Sequence, residues 1–126
     1  MFGFFRKKRN KPGTADYRSA MSSEAQAPYM ILVQIRGSEE IAHLKVFDGN
    51  HLGKDLGADI FIDDMYCALH QCIFFLQDSR WYIRSETHDT FVNGQWLHKG
   101  ETAALSSGSE LRFSLMKDTF IFRQPQ

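Results

Sequence analysis

The sequence predicts an all-β domain: a sandwich of short, mostly antiparallel strands behind a flexible basic tail. Short apolar runs rich in Ile, Val, Phe, Tyr and Trp recur from Tyr29 to Phe122. Clusters of Gly, Asp, Asn and Ser bound each run, as expected of strands joined by tight turns. No stretch of this region carries the 3.6-residue apolar period of an amphipathic helix, and no internal repeat appears.

The elements follow in order. Residues 1–28 stand outside the strand pattern. Phe2, Phe4 and Phe5 lie beside four cations, Arg6, Lys7, Lys8 and Arg9. Aromatic rings entering a headgroup layer, next to cations meeting anionic lipid, would make a membrane-surface foot. Each cation near such a surface contributes about 1 kcal/mol. A solvated terminus with no lipid contact is the other reading. Asn10 to Pro28 is Gly, Pro, Ser, Ala and charge, and reads as linker, with room for a short helix over 17–27.

The domain is expected over 29–126. Met30 to Ile35 is a strand-like run closed by Gly37, and Ile41 to Phe47 is a second, closed by Asp48-Gly49-Asn50. Asp59-Ile60-Phe61-Ile62 is short; the two-residue period puts Ile60 and Ile62 on one side, and Asp63-Asp64 ends the run. His70 to Gln77 is followed, after Asp78-Ser79, by Trp81-Tyr82-Ile83. Thr90 to Val92 and Trp96-Leu97 flank Asn93-Gly94, the strongest short-range hairpin signal. Leu111 to Leu115 alternates with period two, and Thr119 to Phe122 closes the set.

The totals bound the class of protein. At 126 residues the chain can bury one real core and not two. Hydrophobic residues make up 43%, a globular composition and not a disordered one. The longest apolar runs, such as Cys72 to Leu76, are far too short for a membrane-spanning helix, and no signal-peptide pattern is present. The two cysteines, Cys67 and Cys72, therefore read as free thiols in a cytoplasmic chain. The net charge of zero is split. Residues 1–28 hold six bases against two acids, and the rest holds nine against thirteen. A basic head on an acidic body points the head at an anionic surface and argues against nucleic acid as a partner of the body.

The order of turns and strands resembles a forkhead-associated (FHA) domain over about residues 29–123. That family's pattern runs Gly-Arg, Asp-Ile, Ser-Arg-x-His, Asn-Gly-Thr-Phe-Val-Asn-Gly, then Leu, Gly-Asp and an apolar strand. This chain offers Gly53-Lys54, Asp59-Ile60, Cys67-Ala68-Leu69-His70 and His88-Asp89-Thr90-Phe91-Val92-Asn93-Gly94, then Leu105, Gly108-Ser109 and Leu111-Arg112-Phe113. The resemblance implies a sandwich of about eleven strands whose loops, at one end, hold phosphothreonine peptides. It implies scaffold roles for Gly53, Asp59, Ile60 and Gly94, and a loop-buttressing role for His70. Partner contacts are implied at Lys54, Cys67, Ala68, Leu69, Thr87, His88, Asp89 and Asn93.

The matches are unequal. The scaffold positions are kept, while the phosphate-contacting ones are changed: Lys54 for arginine, Cys67 for serine, His88-Asp89 for Asn-Gly. Lysine offers a point charge where arginine offers a fork that fits two phosphate oxygens. A thiol is a weak donor. His88 can donate one hydrogen bond, and Thr87 keeps a hydroxyl. Asp89 is expected in a left-handed turn position, which Asp tolerates, yet its carboxylate would face an incoming dianion. A charge-assisted hydrogen bond contributes about 1.5–3 kcal/mol, so losing one or two weakens binding roughly ten- to ten-thousand-fold. The expectation is an interaction module that docks a partner protein at its loop end, in signalling or a secretion assembly, with phosphate dependence weakened or lost. The alternatives are altered phosphothreonine binding through Lys54, Thr87 and His88, or a purely structural subunit.

Other chemistry finds little support. Cys67, His70 and Cys72 match no usual zinc spacing, so no metal is expected. Asp63-Asp64 reads as turn formers and not as a catalytic pair. No nucleophile motif or phosphate-cradling glycine loop occurs, and neither an enzyme nor a cofactor is expected.

Overall fold

A computed structural model describes residues 27–126; the aromatic and basic residues Phe2 to Arg9 lie outside them. Eleven strands form: β1 (Tyr29–Arg36), β2 (Glu39–Phe47), β3 (His51–Gly53), β4 (Ile60–Phe61), β5 (Cys72–Gln77), β6 (Arg80–Ser85), β7 (Thr90–Val92), β8 (Gln95–Leu97), β9 (Thr102–Leu105), β10 (Ser109–Phe113) and β11 (Thr119–Arg123). They build two sheets, ordered β2-β1-β11-β10-β7-β8 and β4-β3-β5-β6-β9. Pairing is antiparallel except between β3 and β4, where Leu52 aligns with Ile60 in a parallel register. The sandwich expected from sequence is the fold observed.

The period-two pattern explains how the layers meet. On β10, Ser109, Leu111 and Phe113 are buried while Glu110 and Arg112 are exposed. On β11, Phe120 and Phe122 point inward. Phe74 of the smaller sheet stacks on Phe122 at 5.9 Å, and Trp81 meets Phe122 edge-on at 5.9 Å. These rings, with Leu32, Leu52, Ile83 and Leu111, form one continuous core between the sheets. Ile60 and Ile62 share its side, as their spacing predicts.

Turn chemistry fixes the registers. Asn93 and Gly94 have φ of 52° and 80°, the two positive values of the hairpin turn that joins twisted strands without splaying them. Asp78 and Ser79, at 52° and 63°, do the same between β5 and β6 without a glycine. Three details differ from the sequence reading. β10 stops at Phe113, because Ser114 turns left-handed at φ 52° and throws Leu115 into solvent. β5 starts at Cys72 and not at His70. The strands over His51–Gly53 and Thr102–Leu105 are too short and too weakly apolar to stand out in the sequence.

Candidate functional site

Five connections gather at one end of the sandwich: β3–β4, β4–β5, β6–β7, β8–β9 and β10–β11. Backbone hydrogen bonds tie them together. The Lys54 and Asp55 amides donate to the Ala68 and Leu69 carbonyls, at 2.9 and 3.2 Å, and Ser114 N donates to Asp89 O at 2.7 Å. Gly53 is what lets the first two loops touch. A Cβ there would lie 2.0 Å from the Leu69 carbonyl oxygen, so only glycine permits the approach.

Behind these loops lies a buried polar network centred on Gln71, whose side chain has no exposed surface. Its carbonyl oxygen accepts from Ala68 N at 2.9 Å. Its amide nitrogen donates to the hydroxyls of Thr90 at 3.0 Å and Thr87 at 3.2 Å. Ser85 and Thr90 share a 2.8 Å hydroxyl hydrogen bond, and Ser85 also donates to the Thr87 carbonyl at 2.6 Å. One glutamine thus holds the β4–β5 and β6–β7 loops in a fixed relation. The network is satisfied, so it specifies geometry and does not strain it.

The expectation for His70 is therefore corrected. His70 is exposed, and its neighbour Gln71 buttresses the loops. The two residue types are interchangeable in chemistry here: neutral imidazole and primary amide each present an acceptor and a donor. Aligned by that side chain, the family's Ser-Arg-x-His pattern falls one residue later, on Ala68-Leu69-His70-Gln71. The phosphate-binding serine then corresponds to Ala68 and the arginine to Leu69. Cys67 does not face a ligand at all. It is buried in the core, and desolvation, with a smaller push from Asp64, raises its thiol pKa to about 11. Cys72 is wholly buried, and desolvation holds its thiol well above the ordinary range.

The remaining residues named from sequence divide between site and scaffold. Thr87 accepts from Gln71 and, at 3.2 Å, from Asp89 N, so both contacts use its oxygen and leave its proton to donate. His88 accepts from Lys99 N through Nδ1 at 3.3 Å, and its carbonyl accepts from the Trp96 indole. With Nδ1 accepting, Nε2 is the ring nitrogen left to donate. Asp89 is exposed but not left-handed; its backbone is held by Thr87 and Ser114 instead, which corrects the turn conformation expected for it. Asp59 accepts from His51 N at 2.8 Å and pins β3. Asn93 is not at the loop end. Its Oδ1 accepts from Glu110 N at 2.8 Å, three residues beyond Thr90, so about 10 Å along β7.

Two further features were not singled out from sequence. Asp118 of the β10–β11 turn is buried and gripped by Arg36 at 2.9 and 3.0 Å and by Gln34 at 2.7 Å. The Arg36 hydrogen bonds hold its carboxyl below the usual range. Beside that pair opens a cleft of about 430 Å³ lined by Asp63, Asp64, Met65, Tyr66 and Lys117. No local pattern marks either, because they join β1, the β4–β5 loop and the β10–β11 turn, which are distant in sequence.

The FHA domain family model matches residues 50–114, the span that holds every loop just described except the last turn. The chain belongs to the FHA family. Members of that family are protein-interaction modules. The FHA domain of an Arabidopsis thaliana hypothetical protein is similar in structure, with 19% identity, a TM-score of 0.69, and 86% of this chain and 96% of that one covered. The FHA domain of the CT664 protein from Chlamydia trachomatis shares 17% identity at a TM-score of 0.64, over 78% of this chain and 99% of that one. The N-terminal FHA domain of S. cerevisiae RAD53P, solved with a phosphothreonine peptide, shares 14% at 0.63, over 75% of this chain and 94% of that one. At these identities the likeness establishes the fold. No curated protein sequence matches the chain. Gln71 buttresses the loops and Asn93-Gly94 turns the hairpin, while Leu56, Met65 and Leu69, with Asp55, Asp63 and Asp64, lie on the loops at this end.

Proposed function

We propose that this FHA domain docks a partner protein through its loop end with phosphothreonine dependence weakened or lost, as an adaptor or scaffold in bacterial signalling or a secretion assembly. The observation that carries the reading is the register set by Gln71, which puts Ala68 and Leu69 where the family pattern has serine and arginine. Neither side chain can hydrogen-bond a phosphate. Of the phosphate-contact positions named from the pattern only Lys54 is a cation, and Asp89 opposes an incoming dianion. At about 1.5–3 kcal/mol per charge-assisted bond, the two losses correspond to a hundredfold or more in affinity.

A calorimetric titration with paired threonine and phosphothreonine peptides captured by the chain tests this. Affinities within about tenfold of each other support it. Binding by the phosphorylated form alone, abolished in Lys54→Ala, overturns it. The second reading, altered phosphothreonine recognition, draws on the uncommitted Thr87 proton and the Nε2 proton of His88. It predicts that Thr87→Val removes whatever phosphate preference the titration finds. For the tail we propose contact with an anionic membrane face, and a cytoplasmic setting in keeping with two unpaired thiols.

A further inference from the structure

The most exposed large apolar side chains of the described residues are not scattered. Leu56 (89% exposed), Met65 (77%), Leu115 (73%) and Leu69 (59%) head the ranking, and all four sit on loops at the same end. These loops adjoin. Asp55 N bonds Leu69 O, and Met65 and Tyr66 share a cleft with Lys117, two residues from Leu115. Exposed leucines cost nothing singly, but clustered on one tip they mark an interaction surface.

The charges on the same three loops narrow the partner. Asp55, Asp59, Asp63 and Asp64 have no cation within ion-pair distance among the described residues, against two lysines, Lys54 and Lys117. Arg36 lines the same cleft and feels Asp64, but it is bonded twice to Asp118, so that pair adds no net positive charge. An anionic peptide would meet net repulsion here, and a cationic one net attraction. The cleft beside Asp63 and Asp64 has the volume for an apolar side chain lying on Met65 and Tyr66 while a neighbouring base reaches the carboxylates.

We infer that the loop end binds an unphosphorylated segment in which aliphatic or aromatic anchors are flanked by Lys and Arg. This rests on the docking role proposed above and names the chemistry of its partner. The anchors bury Leu56, Leu69, Met65 and Leu115, and the bases meet Asp55, Asp63 and Asp64.

The test is fluorescence anisotropy of the full chain with labelled Lys-Arg-Leu-Phe-Thr-Leu-Lys-Arg, its phosphothreonine twin, and an acidic twin with Glu at every base. The cationic peptide is expected to bind, the phosphorylated twin no more tightly, and the acidic twin about tenfold more weakly. Leu56→Ser with Leu69→Ser, which removes the apolar contact without adding charge, should abolish binding while the thermal midpoint holds, since both side chains lie in solvent. Asp55→Lys with Asp63→Lys should reverse the preference between the cationic and acidic twins. If the acidic twin binds equally and the leucine variants still abolish it, the charge assignment fails while phosphate-independent docking stands. If the phosphorylated twin alone binds, both fail. Concentration-dependent dimerisation that disappears on deleting residues 1–12 would overturn a separate partner as the occupant in favour of a second copy of the chain, whose Phe2 to Arg9 stretch is itself aromatic and basic.

Discussion

Replacing Gln71 by alanine removes a side chain that is fully buried and makes three well-formed hydrogen bonds, at 2.9, 3.0 and 3.2 Å. Each contributes about 0.5–1.5 kcal/mol net, and the groups left behind add a desolvation cost where water cannot reach them. The Thr90 hydroxyl keeps Ser85 as a partner, so the penalty falls mainly on Ala68 N and Thr87. The expected loss is about 2–4 kcal/mol. At about 4–8 °C per kcal/mol for a domain of this size, the thermal midpoint should fall by roughly 8–32 °C. Circular dichroism melts and urea titrations measure both quantities. The control is the adjacent residue: His70→Ala, being exposed, should stay within about 0.5 kcal/mol. Gln71→His should recover most of the loss near neutral pH, because a neutral ring offers the same acceptor and one donor. It should then lose stability as pH falls and the protonated ring can no longer accept from Ala68 N–H. If His70→Ala proved more damaging than Gln71→Ala, the register on which the site is built would be wrong.

Four other outcomes are expected. Gly53→Ala should cost about 1–3 kcal/mol, toward the upper end because the atom met is backbone, and should perturb amide shifts in the β4–β5 loop; an unperturbed spectrum would contradict the close approach. Asp118→Asn should flatten the acid side of the stability profile. The folded carboxyl is held below its ordinary value, so its stabilisation is present above about pH 4 and is lost as pH falls through the folded pKa. Equal acid slopes for wild type and variant would refute that. Cys67 and Cys72 should resist iodoacetamide at pH 8 and react fully in denaturant, since both thiols are buried and raised; rapid native labelling of Cys67 would place it at the surface. Vesicles containing anionic lipid should sediment the full chain and leave the form without residues 1–12 in solution; equal sedimentation of both removes the membrane role of the tail.

Much of the fold could be read from residue types, because a sandwich announces itself locally. Leu111-Arg112-Phe113 alternates, Asn93-Gly94 turns, and Ile60 and Ile62 share a face. What escaped was anything decided by neighbours remote in sequence. His70 matched a pattern by its type, but which of two adjacent polar residues turns inward is settled by Thr87 and Thr90, nearly twenty positions on. Gln71 carried no signal by itself; its equivalence to histidine appears only once its donors and acceptors are traced. Cys67 fell to the core for the same reason. Asn93 was recognised as a hairpin residue, yet its distance from the loop tip needed the direction of β7. The apolar tip was legible only in part: Leu69 stands among the partner contacts that the resemblance implies, but Leu115 reads as the end of an alternating strand and Leu56 belongs to no pattern until the turns that expose them are known.

In the function proposed above, an FHA scaffold carries a loop tip that grips phosphate weakly or not at all. The most direct measurement is a heteronuclear NMR titration of the labelled chain with O-phosphothreonine, following the amides of Lys54, Leu69, Thr87 and His88. Small, unsaturated shifts into the millimolar range are predicted. Saturable shifts converging on those four residues at micromolar ligand, lost in Lys54→Ala, would contradict it.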